Sequence, residues 1–182
     1  MPKRLNNLAT SFHAQYERTG DMQDLHTAIV HSQRALELTP HYHPGMPRRL
    51  RILGISLQSR SERTGEIQDL DDAVTHMQGA LDLTPQDHLD MPIWLSSLGT
   101  LLWARHQHTV DVDDLGRAIA AFQRSVAAPH GSILAKFNAA RYWTELARSV
   151  PHLTPSSCIQ AYSEAIALLP GWVNPRLSGK SC

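Results

Sequence analysis

Apolar residues recur along the chain at the spacing of three and four residues that marks one face of an α-helix. In the first segment this face comprises Leu5, Leu8, Ala9 and Phe12. Polar residues fill the positions between them, so the pattern predicts an amphipathic helix with one buried stripe. A second stripe of the same kind follows a short break and comprises Leu25, Ala28, Ile29, Ser32, Ala35 and Leu38. The pattern therefore predicts a helical hairpin.

The break between the two stripes carries signals for ending one helix and starting another. Gly20 is suited to the left-handed conformation that ends a helix, and Asp21 is suited to capping the next one. Helix two then ends before Pro40, whose ring blocks further helix. Three pairs of acidic residues resemble capping boxes, namely Asp21 with Asp24, Glu66 with Asp69, and Asp111 with Asp114.

The hairpin repeats along the chain. Pro2, Pro47 and Pro92 open similar segments 45 residues apart, and the four-residue string at 17–20 recurs at 62–65. A third segment keeps part of the pattern, and a fourth, Lys136–Pro170, keeps only its skeleton. A fixed period of this length is typical of stacked helical repeats. The sequence therefore predicts an all-α fold, an α-solenoid of about four antiparallel helical hairpins.

Each predicted repeat contains a first helix, A, and a second helix, B. The A helices are expected at 3–17, 46–62, 91–106 and 132–148, and the B helices at 22–38, 67–83, 112–127 and 155–169. The repeats span 2–46, 47–91, 92–131 and 132–170, followed by an irregular C-terminal tail at 171–182. Small residues recur inside the A helices at Ala9, Gly54, Gly99 and Ala140. Their missing side chains predict close approach of neighbouring helices.

The spacing of these residues resembles the tetratricopeptide repeat. The resemblance is carried by Leu5, Leu8 and Ala9 in helix A and by Ala28, Ser32, Ala35 and Pro40 in helix B. The period of 45 is longer than the usual 34 or so residues. This long form, with its ERTG-D-x-x-D-L-x-x-A-I signature, resembles the repeats of basidiomycete fungal proteins that often precede a caspase-like CHAT peptidase domain. The resemblance implies a right-handed α-solenoid, a superhelix with a concave groove for a protein or peptide partner.

In the register of that family, one face of the A helices lines the groove. The residues expected there are Lys3, Asn6, Thr10, His13, Arg48, Arg51, Ile55, Gln58, Ser96, Thr100, Trp103, Asn138 and Arg141. Trp103 is the strongest single candidate for a binding anchor, because aromatic side chains dominate the energetics of protein interfaces. For Trp143, by contrast, packing in the core is the favoured interpretation.

Composition excludes several classes of partner. Lys and Arg together number 17, as do Asp and Glu, so the formal net charge is zero. No net positive field attracts nucleic acid or an anionic membrane surface. The 182 residues are 42% hydrophobic and contain no apolar run long enough for a membrane span or a secretory signal. With only two cysteines and no disulfide framework, a reducing, cytoplasmic location is expected.

Candidate chemistry is sparse. Cys158 takes the position of a small core residue, and Cys182 is the last residue. Neither is paired in sequence with a catalytic base, so no catalytic residue, no metal and no cofactor is expected. The histidine pairs His41/His43 and His106/His108 raise a metal site as an alternative, against the simpler interpretation of exposed loop histidines.

The sequence therefore predicts a non-catalytic scaffold or adaptor for protein interactions, and in its most specific form the regulatory repeat segment of a CHAT-type protease. Two alternatives stay open. One is a metal-binding protein or hydrolase built on clustered histidines. The other is a purely structural repeat fragment that self-associates through uncapped ends, since the turn-rich tail offers no polar capping helix.

Overall fold

The computed structural model describes residues 1–149 together with residues 159, 160 and 163. Within these residues the chain forms seven helices and no strand. They are α1 (Pro2–Thr19), α2 (Met22–Glu37), α3 (Met46–Thr64), α4 (Ile67–Asp82), α5 (Met91–Thr109), α6 (Val112–Ala127) and α7 (Ile133–Ser149). The predicted helices are confirmed to within a few residues as far as 149. The predicted helix at 155–169, apart from its helical residues 159, 160 and 163, lies outside the described residues, as do Cys158, Cys182 and the tail.

The helices pack in two layers of an α-solenoid. Successive helices contact each other throughout, so α1/α2, α3/α4 and α5/α6 form hairpins. The A helices also touch one another directly, α1 to α3, α3 to α5 and α5 to α7, whereas no comparable contact joins α2 to α4 or α4 to α6 among the described residues. Because the A layer is more tightly spaced than the B layer, it lies on the inner side of the curve.

The turn inside each hairpin requires a left-handed residue. Gly20 and Gly65 have φ of 73° and 78°, and each backbone N–H donates to a carbonyl four residues back. Glycine adopts this conformation without steric cost. The third hairpin has Val110 at the matching position, with φ of 58°. A β-branched residue is strained in this region because its Cβ crowds the backbone.

Val110→Gly is therefore expected to stabilise the protein by about 1 kcal/mol. Val110 is 73% exposed, so its removal sacrifices little packing. Urea unfolding followed by circular dichroism measures the change, and Gly65→Val is the reciprocal control, which should destabilise by a similar amount. A Val110→Gly protein less stable than the parent would show that the strain at this turn is negligible.

Helix caps follow the predicted aspartates only in part. The Asp21 carboxylate accepts a hydrogen bond from Gln23 N at 2.9 Å, and Asp111 accepts one from Asp113 N at 2.9 Å. Glu66, with its longer side chain, makes no such bond. The capping-box interpretation is wrong for the two partner residues Asp69 and Asp114. Their carboxylates are instead held by arginines of the preceding A helix.

These arginines brace each hairpin internally. Arg60 donates from Nε and Nη2 to Asp69, both at 2.6 Å, and Arg105 donates to Asp114 at 2.6 and 2.7 Å. Arg105 also reaches Asp71 of the previous repeat at 2.8 Å. Two parallel hydrogen bonds per carboxylate fix the guanidinium and carboxylate planes together. The second and third hairpins thus each have an arginine–aspartate brace at the matching position, near the hairpin turn, and Arg105 also links the third hairpin to the second.

The loops between repeats are ordered by threonine and histidine. The Thr39 hydroxyl donates to Ala35 O at 2.5 Å, and Thr84 makes the same bond to Ala80 O. His43 Nδ1 accepts a hydrogen bond from Gly45 N at 2.9 Å, and His88 Nδ1 accepts one from Asp90 N. His43 is exposed, as expected, yet this nitrogen is already occupied, which weakens the His41/His43 pair as a chelator.

The side of α1 that contains Leu8 differs from the matching side of the later A helices. Leu8, predicted to be buried, is 45% exposed, whereas its counterparts Leu53 and Leu98 are 2% and 6% exposed. α3 and α5 each pack against the helices of a preceding hairpin, whereas α1 packs against α2 and α3 within the described residues. The neighbouring positions on α1 are polar and exposed, namely Arg4, Asn7, Ser11 and Gln15. The prediction of one buried stripe is therefore wrong at Leu8.

No helix within the described part of the chain has both the length and the apolar character that crossing a lipid bilayer requires.

Candidate functional site: the concave groove

The inner surface of the A layer contains two adjoining cavities. The larger, of about 400 Å³, lies between α3, α5 and α7 and is lined by Ile55, Gln58, Glu62, Ser97, Thr100, Trp103, Ala104, Gln107 and Tyr142. The smaller, of about 190 Å³, lies between α1 and α3 and is lined by Thr10, His13, Glu17, Arg51, Ile52 and Ile55. Ile55 borders both. We call these two cavities together the concave groove.

Aromatic side chains form one end of the concave groove. Trp103 is half-buried and meets the Tyr142 ring edge-on, with centroids 6.0 Å apart. Tyr142 stacks on the fully buried Phe122 at 5.6 Å, and the Arg141 guanidinium covers Tyr142 at 4.7 Å. Trp103 is therefore held from below by packed rings while part of its surface faces the cavity. This is the arrangement of a rigid aromatic anchor.

Polar groups form the other end. Arg51 donates from Nε to Ser97 Oγ at 3.2 Å and its guanidinium lies 5.5 Å from the centre of the Trp94 ring. Burial lowers the pKa of Arg51; nearby Asp90 opposes this and Arg48 adds to it. Within the described residues no carboxylate pairs with Arg51 at salt-bridge distance. Its charge is thus available to an acidic group of a ligand.

His13 sits beside this arginine. Its Nε2 lies 3.1 Å from Ser59 Oγ, and its Nδ1 lies 3.8 Å from Glu17. Burial lowers the pKa of His13; Glu17 opposes this and Arg51 adds to it. The ring is consequently neutral at pH 7, and its charged form is disfavoured in the fold. Stability contributed by the neutral ring is lost as pH falls below the ordinary histidine pKa.

Ser59, His13 and Glu17 lie next to one another in the sequence of groups found in a hydrolytic triad, but an oxyanion hole and a close histidine–carboxylate hydrogen bond are missing. Ser59 lies in the interior of α3, where backbone N–H groups donate within the helix. They are therefore not free to stabilise an oxyanion, which is usually the largest electrostatic term in acyl transfer. The 3.8 Å separation from Glu17 is too long for the hydrogen bond that orients the histidine. The arrangement favours a structural link between α1 and α3.

The predicted groove residues divide into three groups. Those that line the concave groove are Thr10, His13, Arg51, Ile55, Gln58, Thr100 and Trp103. Asn6 and Ser96 belong to neither lining, and both side chains are buried, at 6% and 8% exposure. Those that lie on A helices outside either lining are Lys3, Arg48, Asn138 and Arg141. The expectation that Asn6 and Ser96 face the groove is therefore wrong.

The residues that sequence reasoning missed are explained by helix geometry. Ser97 lines the groove in place of Ser96, because neighbouring residues of a helix differ by a rotation of 100°. The 45-residue register itself holds between α3 and α5, and Ser97 matches Ile52, which also lines the groove. Tyr142 takes the place expected for Asn138 and Arg141. The turn before α7 contains Gly131 at φ of 100°, and the 45-residue spacing does not continue across it into α7. The aromatic residue next to Arg141 was the feature of the sequence that could have identified Tyr142 as a groove residue.

The histidines in the part of the chain that the structure describes do not converge on one site. Among residues 1–149, 159, 160 and 163, no group of three or more His, Cys, Asp or Glu side chains is placed to hold a metal ion. His106 Nδ1 lies 2.6 Å from Asp111 O at the third hairpin turn. His76 is half-buried, and burial lowers its pKa against the opposing effect of Asp72.

Trp143, predicted to be in the core, is 1% exposed.

No protein-family model matches the chain, and no curated protein matches it. Among solved structures, a de novo designed helical repeat protein is similar to this chain at 15% sequence identity, covering 92% of each chain with a TM-score of 0.38. The repeat architecture identifies the chain as a helical repeat protein, since the seven helices of residues 1–149 stack as hairpins.

Proposed function

We propose that this chain is a non-catalytic scaffold that binds another polypeptide along the concave groove. The observation that carries the proposal is Trp103, a half-buried aromatic ring supported by Tyr142 and facing a cavity of about 400 Å³. Helical repeat arrays generally present such extended inner surfaces to protein partners. The unpaired Arg51 at the other end offers a contact for an acidic side chain.

The shape of the concave groove favours an extended segment or a single helix as ligand. Its two cavities join at Ile55, so an anchor residue could occupy each while the backbone crosses between them. The lining mixes apolar groups with neutral amides and hydroxyls, such as Gln58, Thr100 and Gln107. These groups provide hydrogen bonds without a strong net charge. We infer an amphipathic partner segment with an aromatic or aliphatic anchor and a nearby acidic residue.

A more specific form of this proposal follows from the repeat signature. The ERTG-D-x-x-D-L-x-x-A-I pattern supports a regulatory role beside a CHAT-type, caspase-like peptidase. This form rests on the resemblance alone.

The proposal is tested with Trp103→Ala. After affinity capture identifies a partner from a lysate, isothermal calorimetry should show at least a 30-fold weaker affinity for the purified variant, the effect of removing a central aromatic anchor. Thr100→Arg, which fills the cavity without removing core contacts, should weaken binding as well. Tyr42→Ala is the matched control, because Tyr42 is 90% exposed on a loop away from the concave groove.

Retention of full affinity by a folded Trp103→Ala and by Thr100→Arg would contradict the proposed site. Loss of affinity in Tyr42→Ala alone would move the interface to the loops. A caspase-like peptidase among the Trp103-dependent partners would support the more specific role, and its absence there would count against it.

A further inference from the structure

Arg49 has a largely buried side chain and no anionic partner among the described residues. Its side chain lies in the first turns of α3 with 7% of the residue exposed, and its Nε has no hydrogen-bond partner. No carboxylate of the described residues lies within salt-bridge distance of it. Arg60 and Arg105, which are more exposed than Arg49, differ because each holds a carboxylate by two hydrogen bonds. A buried guanidinium without an anion is strongly unfavourable.

Its surroundings increase the cost. The N-terminal end of α3 carries the positive end of the helix dipole, and Arg48 adds a second positive charge. Burial, together with Arg48, lowers the pKa of Arg49. The N-cap residue Gly45 provides no side chain to cap the helix. Helix N-termini usually attract negative groups. Two arginines at this end, one of them buried, therefore place positive charge where a negative group would be stabilised.

The backbone leaves room for the guanidinium at this end. A Cβ atom on Gly45 would lie 2.5 Å from Arg49 Nη1 and 3.2 Å from His43 Nδ1. The guanidinium therefore points back over the N-cap. In the next repeat the matching residues are Asp90 and the buried Trp94, so the fold is built at this place without a cation. Packing alone therefore does not explain why an arginine occupies position 49.

We propose that the N-terminal end of α3 binds an oxyanion, a phosphate or carboxylate group, with the Arg49 guanidinium as its principal ligand. The planar fork of arginine matches both groups with two hydrogen bonds. Arg48 adds attraction from the surface, and the helix dipole acts in the same direction. The site is separate from the concave groove, since Arg49 lines neither cavity.

Thermal unfolding in inorganic phosphate tests this site. At pH 7 and constant ionic strength, phosphate should raise the melting temperature of the full chain along a saturating curve, by about 5 °C at a hundredfold excess over its dissociation constant. Arg49→Met should abolish this rise and, without phosphate, melt no lower than the parent. Arg63→Met changes the net charge equally at an exposed position of the same helix and should keep the rise.

Two further arms make the result decisive. Arg49→Lys keeps the charge but not the fork, and should weaken the response to phosphate at least several-fold. Acetate replaces phosphate in a parallel series, so a response to phosphate alone assigns a phosphate group and an equal response to acetate assigns a carboxylate. An equal phosphate response in the parent, Arg49→Met and Arg63→Met would overturn the proposal. So would a flat response in the parent.

Discussion

Arg105→Ala is expected to lower the free energy of unfolding by about 3 kcal/mol. The Asp114 side chain is 3% exposed and receives two hydrogen bonds from Arg105. Removing the guanidinium leaves a buried carboxylate with only Arg117 nearby, at 3.5 Å. It also removes the link to Asp71 of the previous repeat.

Arg34→Ala is the matched control in urea unfolding. Arg34 pairs with Glu37 at 2.7 Å, as close as the buried pairs, but both side chains are 60% exposed. Exposed pairs of this kind contribute only a few tenths of a kcal/mol. If the two substitutions cost the same, the buried brace is not a source of stability. A double replacement of Arg105 and Asp114 by apolar residues should recover much of the loss.

Gly99→Ala is expected to destabilise the protein by about 2 kcal/mol, although alanine is the better helix former. A Cβ atom on Gly99 would lie 2.5 Å from Phe122 Cε1. Phe122 is fully buried and stacked on Tyr142, so it has no space into which to move. The added methyl group therefore forces the α5/α6 hairpin apart.

Gly116→Ala provides the contrast in the same hairpin. A Cβ atom there meets nothing within 4 Å, so this substitution should stabilise by about 1 kcal/mol through helix propensity alone. Phe122→Met combined with Gly99→Ala should recover at least half of the loss, because methionine is the residue opposite Gly54 in the second hairpin. Equal effects of the two glycine substitutions in urea unfolding would contradict this account of the packing.

This pairing of small and large residues shows how far the sequence specifies the fold. One position of the A helices is small in every hairpin, namely Ala9, Gly54 and Gly99. The side chain at the matching position of the B helices becomes larger from one hairpin to the next, namely Ser32, Met77 and Phe122. The period of 45 and the small residues predict close helices, and the structure confirms them. Which large side chain fills each gap is decided by contacts across the hairpin, and periodicity within one helix does not contain that information.

The candidate site was predictable to a smaller extent. The A-helix face containing Thr10, His13 and Trp103 follows from the repeat register, and these residues line the groove. Ser96 and Asn6 were misplaced because a shift of one residue rotates a side chain from groove to core. The brace between Arg105 and Asp114 was missed, although Arg and Asp recur nine residues apart at 60/69 and 105/114, because helical spacing rules do not connect two helices.

Hydroxyl-radical footprinting of side chains, with and without a captured partner, tests the central claim that the concave groove is the binding surface. Binding should reduce oxidation of Trp103 and Tyr142, which form the aromatic end of the groove, and leave Tyr42 on the first inter-repeat loop unchanged. Unchanged oxidation of Trp103 and Tyr142 in a saturated complex, with protection at Tyr42 or elsewhere on the loops, would contradict it.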